Sequence, residues 1–121
     1  MKTDNDILLN EKIANILICA KIPPKILGYR FLREAVKMTI SNPSLINGIT
    51  KKLYPEIARR FETSAGSVER AIRHAIEVAY NRGGVTNINS IFGLHIYEKT
   101  DKPSNAELIA LIADKIFLQI I

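Results

Sequence analysis

With 121 residues, 47% of them hydrophobic, the chain is long enough for one domain with a buried core and too apolar to be disordered throughout. Its formal net charge of +5 is unevenly placed: residues 1–49 and 50–82 each carry seven Lys/Arg against four Asp/Glu, whereas residues 83–121 carry three against four, which suits a polyanion on one side and other contacts elsewhere. A single cysteine excludes an internal disulfide and a zinc cluster of thiolates, and the chain shows neither an export signal nor a run near the roughly 18–20 apolar residues of a membrane span, so a soluble, cytoplasmic domain without membrane contact is expected.

Helical periodicity dominates. Residues 1–6 are expected to be a flexible lead-in. Ile7, Leu8, Ile13, Ile16 and Leu17 predict a first helix, stopped by Pro23-Pro24, where missing N–H donors and a fixed φ oppose continuation. Cys19 falls in its apolar IANILICA stretch and is expected as a buried thiol. A second helix is predicted from about Gly28 to Ser41, with Leu32, Ala35, Val36 and Thr39 on one face and Arg30, Arg33 and Lys37 on the other. Asn42-Pro43-Ser44 punctuates, and a short helix or turn follows through Leu45 and Ile46. A third helix is predicted over Thr50–Phe61, with Pro55 in its first turn, where a missing donor costs nothing.

Ser64 is the expected N-cap of the next helix, in which Val68, Ala71, Ile72, Ala75, Ile76 and Ala79 recur at helical spacing. Arg82-Gly83-Gly84 ends it. Ile88–Phe92 reads as a short helix closed by Gly93, and His95–Lys102 as irregular, with HIYEK the one candidate for an extended segment. After Pro103, Ser104 and Glu107 match a capping box that opens the last helix, whose apolar face holds Leu108, Leu111, Ile112 and Ile116. Its FLQII end either completes the core or forms an apolar seam for a partner. An all-α domain of about six helices is predicted, with an embedded helix-turn-helix.

Enzymatic chemistry has little support. Two histidines, one cysteine and scattered carboxylates make no triad, dyad or metal-ligand set, so neither a catalytic site nor a cofactor is expected. Gly83-Gly84 follows a helix and reads as its C-cap, not as a phosphate loop. The pair of helices over Tyr54–Tyr80 says more. Its first helix is short and apolar (Ile57, Ala58, Phe61), and the second presents Ser67, Glu69, Arg70, Arg73, His74 and Glu77 outward. Arginine can donate bidentately to guanine or clamp phosphates, and glutamate can accept from a cytosine amino group. The alternative is a solvated face braced by i,i+4 pairs such as Arg73–Glu77.

The segment VERAIRHAIEVAYNRG, with LYPEIARRFETSAGS before it, resembles the C-terminal effector domains of stage 0 sporulation protein A. GYRFLREAV, ITKKLYPEIA, SIFG and KPSNAELIALIADK extend the resemblance over nearly the whole chain. It implies a six-helix fold whose helix-turn-helix reads a short CGAA-containing box in double-stranded DNA. Glu69, Arg70, Arg73 and His74 would be the base and phosphate readers and Ser67 a minor contact, with Lys51, Lys52, Arg59 and Arg60 as backbone contacts. It also implies a contact with the polymerase sigma factor through about residues 80–92 and head-to-tail association of copies on tandem boxes.

Two departures stand out. The family usually carries a base-reading arginine where this chain has Ser67, and serine where it has Gly66. Losing one bidentate guanine contact removes about 1–3 kcal/mol of discrimination. The phosphorylated receiver domain of the family is also missing from the sequence, which is then either an excised domain or a stand-alone paralogue. The rival expectation is a diverged interaction module that pairs with a full-length regulator and has weakened DNA specificity.

Overall fold

The computed structural model describes residues 3–120, the side chain of Ile120 excepted. Six α-helices and no strand are present among the described residues: α1 (Asp4–Cys19), α2 (Leu27–Ser41), α3 (Tyr54–Arg60), α4 (Ala65–Asn81), α5 (Asn87–Phe92) and α6 (Asn105–Ile120). Residues 3–6, expected to lie in a flexible lead-in, are ordered as the start of a helix. Residues 4–6 are the first turn of α1, held by a capping box in which Thr3 Oγ1 accepts from the Asp6 N–H at 3.1 Å and the Thr3 N–H donates to Asp6 Oδ2.

Helix α2 is the centre of the packing, against α4 on one side and α6 on another, with α1 across its flank. Phe31, Leu32, Ala35 and Val36 of α2 meet Ile72, Ala75 and Ile76 of α4 and Ile109, Ile112 and Ile116 of α6 in one core cluster. The approach of α2 to α4 is close because residue 28 has no side chain: a Cβ there would lie 2.1 Å from the Ala71 carbonyl oxygen and 2.7 Å from Ala75 Cβ. A second close approach seats Gly84, just past α4, on the end of α1, where a Cβ would fall 2.0 Å from the Ala20 carbonyl oxygen.

Three sequence expectations change. Cys19 is exposed rather than buried. The helical register turns Ile13, Ile16, Leu17 and Ala20 inward, which leaves position 19 on the outer side. The helix expected over Thr50–Phe61 is divided. A 3-10 segment (Pro43–Gly48) leads into a wide π turn (Ile49–Leu53), and regular α-helix begins only at Tyr54. Pro55 explains the division, since it has no N–H to give the preceding turn, and the Tyr54 N–H reaches back five residues to the Ile49 carbonyl instead. The HIYEK segment pairs with no strand: the N–H groups of Ile96 and Tyr97 both donate to Asn89 Oδ1, at 2.7 and 2.9 Å, and Asn89 Nδ2 donates to the Tyr97 carbonyl.

At the C-terminal end, Ile116 is fully buried, Phe117 is half-buried and Leu118 is 61% exposed. Ile116 is the last fully buried side chain among those described. The expectation for the last two residues of FLQII lies outside the described residues, because the side chains of Ile120 and Ile121 are not among them.

Candidate nucleic-acid interface

Helices α3 and α4 form the helix-turn-helix. The chain leaves α3 through Phe61 and takes a left-handed conformation at Glu62 (φ 54°), and the Thr63 N–H then donates to the Ala58 carbonyl at 2.9 Å. This is the six-to-one bond of a Schellman ending, made with a glutamate where glycine is usual. Ser64 then caps α4, its Oγ accepting from the Ser67 N–H at 3.1 Å. No carboxylate occupies the first turn of α4, so the positive end of its dipole is not offset locally.

The inward stripe of α4 is as the periodicity predicts: Val68, Ile72, Ala75, Ile76 and Ala79 are buried, with Ala71 half-buried. That stripe fixes which residues face out. Arg70, Arg73 and His74 are exposed side by side along the N-terminal half of α4, with Ser67 and Glu69 partly exposed at its flanks. Arg70 has no ion-pair partner among the described residues, and its guanidinium lies over Gly66, with Nη1 3.1 Å from where a Cβ would be. Gly66 therefore gives the arginine room along the helix N-terminus.

Arg73, Ser67, Arg59 and Arg60 are already engaged. Arg73 Nη1 donates to Glu69 Oε1 at 2.7 Å, so the brace on this face runs from Arg73 to Glu69 and not to Glu77, which instead lies 3.6 Å from Lys102. The Ser67 hydroxyl shares a 2.8 Å hydrogen bond with that of Ser64 and belongs to the cap. On α3, Arg59 donates twice to Glu56 at 3.1 and 2.6 Å, and Arg60 bonds Glu56 and, at 2.7 Å, Glu34 of α2. The Arg59 hydrogen bond first, with help from Arg60, holds the Glu56 carboxyl down to about 2. Solvent screens such exposed pairs, so exchanging a carboxylate for a phosphate costs little. Lys51 and Lys52 stand exposed on the π turn just ahead of α3, without ion pairs among the described residues.

Two residues that the sequence did not single out join these elements. Asn105, the first residue of α6, donates through Nδ2 to the Tyr54 hydroxyl at 3.0 Å and to the Glu69 carbonyl at 3.1 Å. One side chain thus ties the last helix to the start of α3 and to the outer face of α4. Tyr54 is buried, and burial pushes its phenol up, against the Asn105 hydrogen bond. Replacing Asn105 by alanine is expected to destabilise the domain by about 1–3 kcal/mol, since it leaves two part-buried acceptors without their donor. A change in unfolding free energy of less than a few tenths of a kcal/mol in urea denaturation would show the bridge to be incidental.

The family model described as sporulation initiation factor Spo0A C terminal matches residues 13–116. The chain belongs to this family. The Spo0A C-terminal domains are sporulation-related DNA-binding effector domains, so the helix-turn-helix formed by α3 and α4 belongs to a DNA-binding domain. The match begins at Ile13, inside α1, and ends at Ile116, the last buried residue of α6 among the described side chains. It therefore spans the whole core that sets α4 in place. No helix among the described residues is long and apolar enough to cross a membrane.

Proposed function

We propose that the chain is a transcription factor domain that reads a short CGAA-containing box by laying the N-terminal half of α4 in the major groove of double-stranded DNA. The observation that carries this reading is the exposed row of Arg70, Arg73 and His74 on a helix whose other side is locked into the core. Arg70 is the base or phosphate reader that needs no rearrangement. Arg73 and Glu69 act as a unit, the guanidinium leaving its carboxylate for guanine or phosphate while Glu69 becomes able to accept from a cytosine amino group. His74 adds a contact one turn on from Arg70. Ser67 is at most a minor contact, because its hydroxyl serves the cap. Lys51, Lys52, Arg59 and Arg60 fix the register on the phosphates without reading sequence. The domain acts where the chromosome is, in the cytoplasm, and is not an enzyme.

The same reading gives the segment 80–92 a role as a ledge for the polymerase sigma factor. Support comes from its anchorage: Asn87 Nδ2 donates to the Cys19 carbonyl at 2.7 Å, and Gly84 is wedged against α1. Copies of the domain would contact each other head to tail on tandem boxes. One observation favours a second reading, a diverged interaction module that pairs with a full-length regulator: the position where the family usually has a reading arginine holds a hydroxyl already spent on the cap. Fluorescence anisotropy with a CGAA duplex and a scrambled one, over a salt series, separates the two. Preference for the box by more than about tenfold is expected from two arginine contacts. A preference under about threefold at every salt concentration, with tight binding to an intact regulator, would favour the interaction module.

A further inference from the structure

One cavity lies away from α4. It is a groove of about 730 Å³, open to solvent. Ile40 at the end of α2, Pro43 and Ile46 of the 3-10 segment form one wall, Ile96 and Tyr97 lie between helices α5 and α6, and Ala110, Leu111 and Phe117 of α6 form the other wall. Thr39, also on the lining, is nine-tenths buried and its hydroxyl meets no hydrogen-bond partner among the described residues.

Charge and length decide what fits. In a chain of net charge +5, the only charged residues lining the groove among the described residues are Glu107 and Asp114, both exposed and both acidic. They stand seven positions apart on α6, two helical turns or about 10 Å along its axis. From Glu107 to Phe117 the α6 wall runs about 15 Å, close to three turns. A compact small-molecule cation meets one such carboxylate and leaves the other idle. A helix lying along α6 meets both, because its own residues at i and i+7 repeat the same spacing, and its apolar residues at i, i+3, i+4 and i+7 face the groove.

We infer that this groove is a docking site for a basic amphipathic helix of a partner protein, with two Lys or Arg residues seven positions apart seated on Glu107 and Asp114 and apolar side chains between them packed on Leu111, Ile46 and Phe117. The site is independent of the DNA face: none of Arg70, Arg73 and His74 lines it. Protein recruitment through this groove and DNA binding through α4 can therefore occur together.

A fluorescein-labelled 14-residue probe tests it, with Leu at four positions spaced i, i+3, i+4 and i+7, Lys at two positions seven apart, and Gln and Ala elsewhere. Titrated against the full chain, it is expected to bind at least about tenfold more tightly than a scrambled peptide of the same composition. Glu107→Lys with Asp114→Lys is expected to lose at least that factor. A probe carrying Glu in place of Lys should bind this double variant and not the parent. Both positions are exposed, so circular dichroism is expected to report an unchanged fold. Equal binding of the scrambled peptide, no loss in the double variant, failure of the charge-swapped probe to rescue, or occupation of the groove by a second copy in sedimentation without peptide would each overturn the inference.

Discussion

Replacing Gly28 by alanine is expected to destabilise the domain by about 1–3 kcal/mol or more, a large effect for a single methyl group. The new Cβ would sit 2.1 Å from the Ala71 carbonyl oxygen and 2.7 Å from Ala75 Cβ, far inside the roughly 3.5–4.0 Å at which carbon atoms pack. Neither neighbour can swing aside, because one is helix backbone and the other a Cβ fixed to it. Helix α2 must instead move off α4, which loosens the contact that orients the outer face of α4. Gly66→Ala supplies the contrast. There the Cβ meets only the end of the flexible Arg70 side chain, at 3.1 Å, and a glycine-to-alanine change in a helix favours folding by up to about 1 kcal/mol. The same substitution should thus act in opposite directions at the two sites. Urea denaturation checks both, and a Gly28→Ala variant within about 0.5 kcal/mol of the parent would contradict the close helix crossing.

The second large effect concerns affinity. Replacing Arg70 and Arg73 together by alanine is expected to weaken binding to a CGAA duplex by about 2 kcal/mol or more, roughly thirtyfold. The single variants should divide the loss in an informative way. Arg70 has no ion-pair partner among the described residues, so its removal loses the whole contact. Arg73 leaves Glu69 to reach DNA, so its loss is reduced by about 0.2–1 kcal/mol for the surface pair it gives up. A phosphate contact shows as a salt slope lower by about 1 per residue with preference unchanged, and a base contact as relaxed preference with the slope kept. Anisotropy titrations at several salt concentrations give both quantities. Unchanged affinity in the double variant would remove α4 as the reading element.

Much of this architecture can be read along the chain because its causes are local. The α4 stripe from Val68 to Ala79 buries as its spacing predicts, Ser64 caps where a hydroxyl precedes the periodic run, and Gly83 takes the left-handed conformation that ends the helix. Cys19 misleads for a plain reason. Every residue of IANILICA but the asparagine is apolar, and such a run does not say which side of the helix faces the core. The π turn before α3 depends on how one proline redirects the N–H of its neighbour, which spacing alone does not encode.

The site divides along the same line. That Arg70, Arg73 and His74 face outward follows from the stripe opposite them. That Arg73 is braced by Glu69 rather than Glu77, that Ser67 is committed to the cap, and that Asn105 reaches across from α6 depend on side-chain geometry or on residues distant in the chain. Position 67 acquires its meaning there. Its hydroxyl and N–H both bond Ser64 at the start of α4, so the proposed reading rests on Arg70 and Arg73.

The most direct test of the DNA-binding face is a map of backbone amide shifts in the labelled protein titrated with a short CGAA duplex. The largest perturbations are expected over residues 64–77, with a second group at Lys51 and Lys52 and none along the groove between Glu107 and Phe117. Perturbations centred on α6, with residues 64–77 undisturbed at saturation, would contradict the assignment of α4 as the helix that meets DNA.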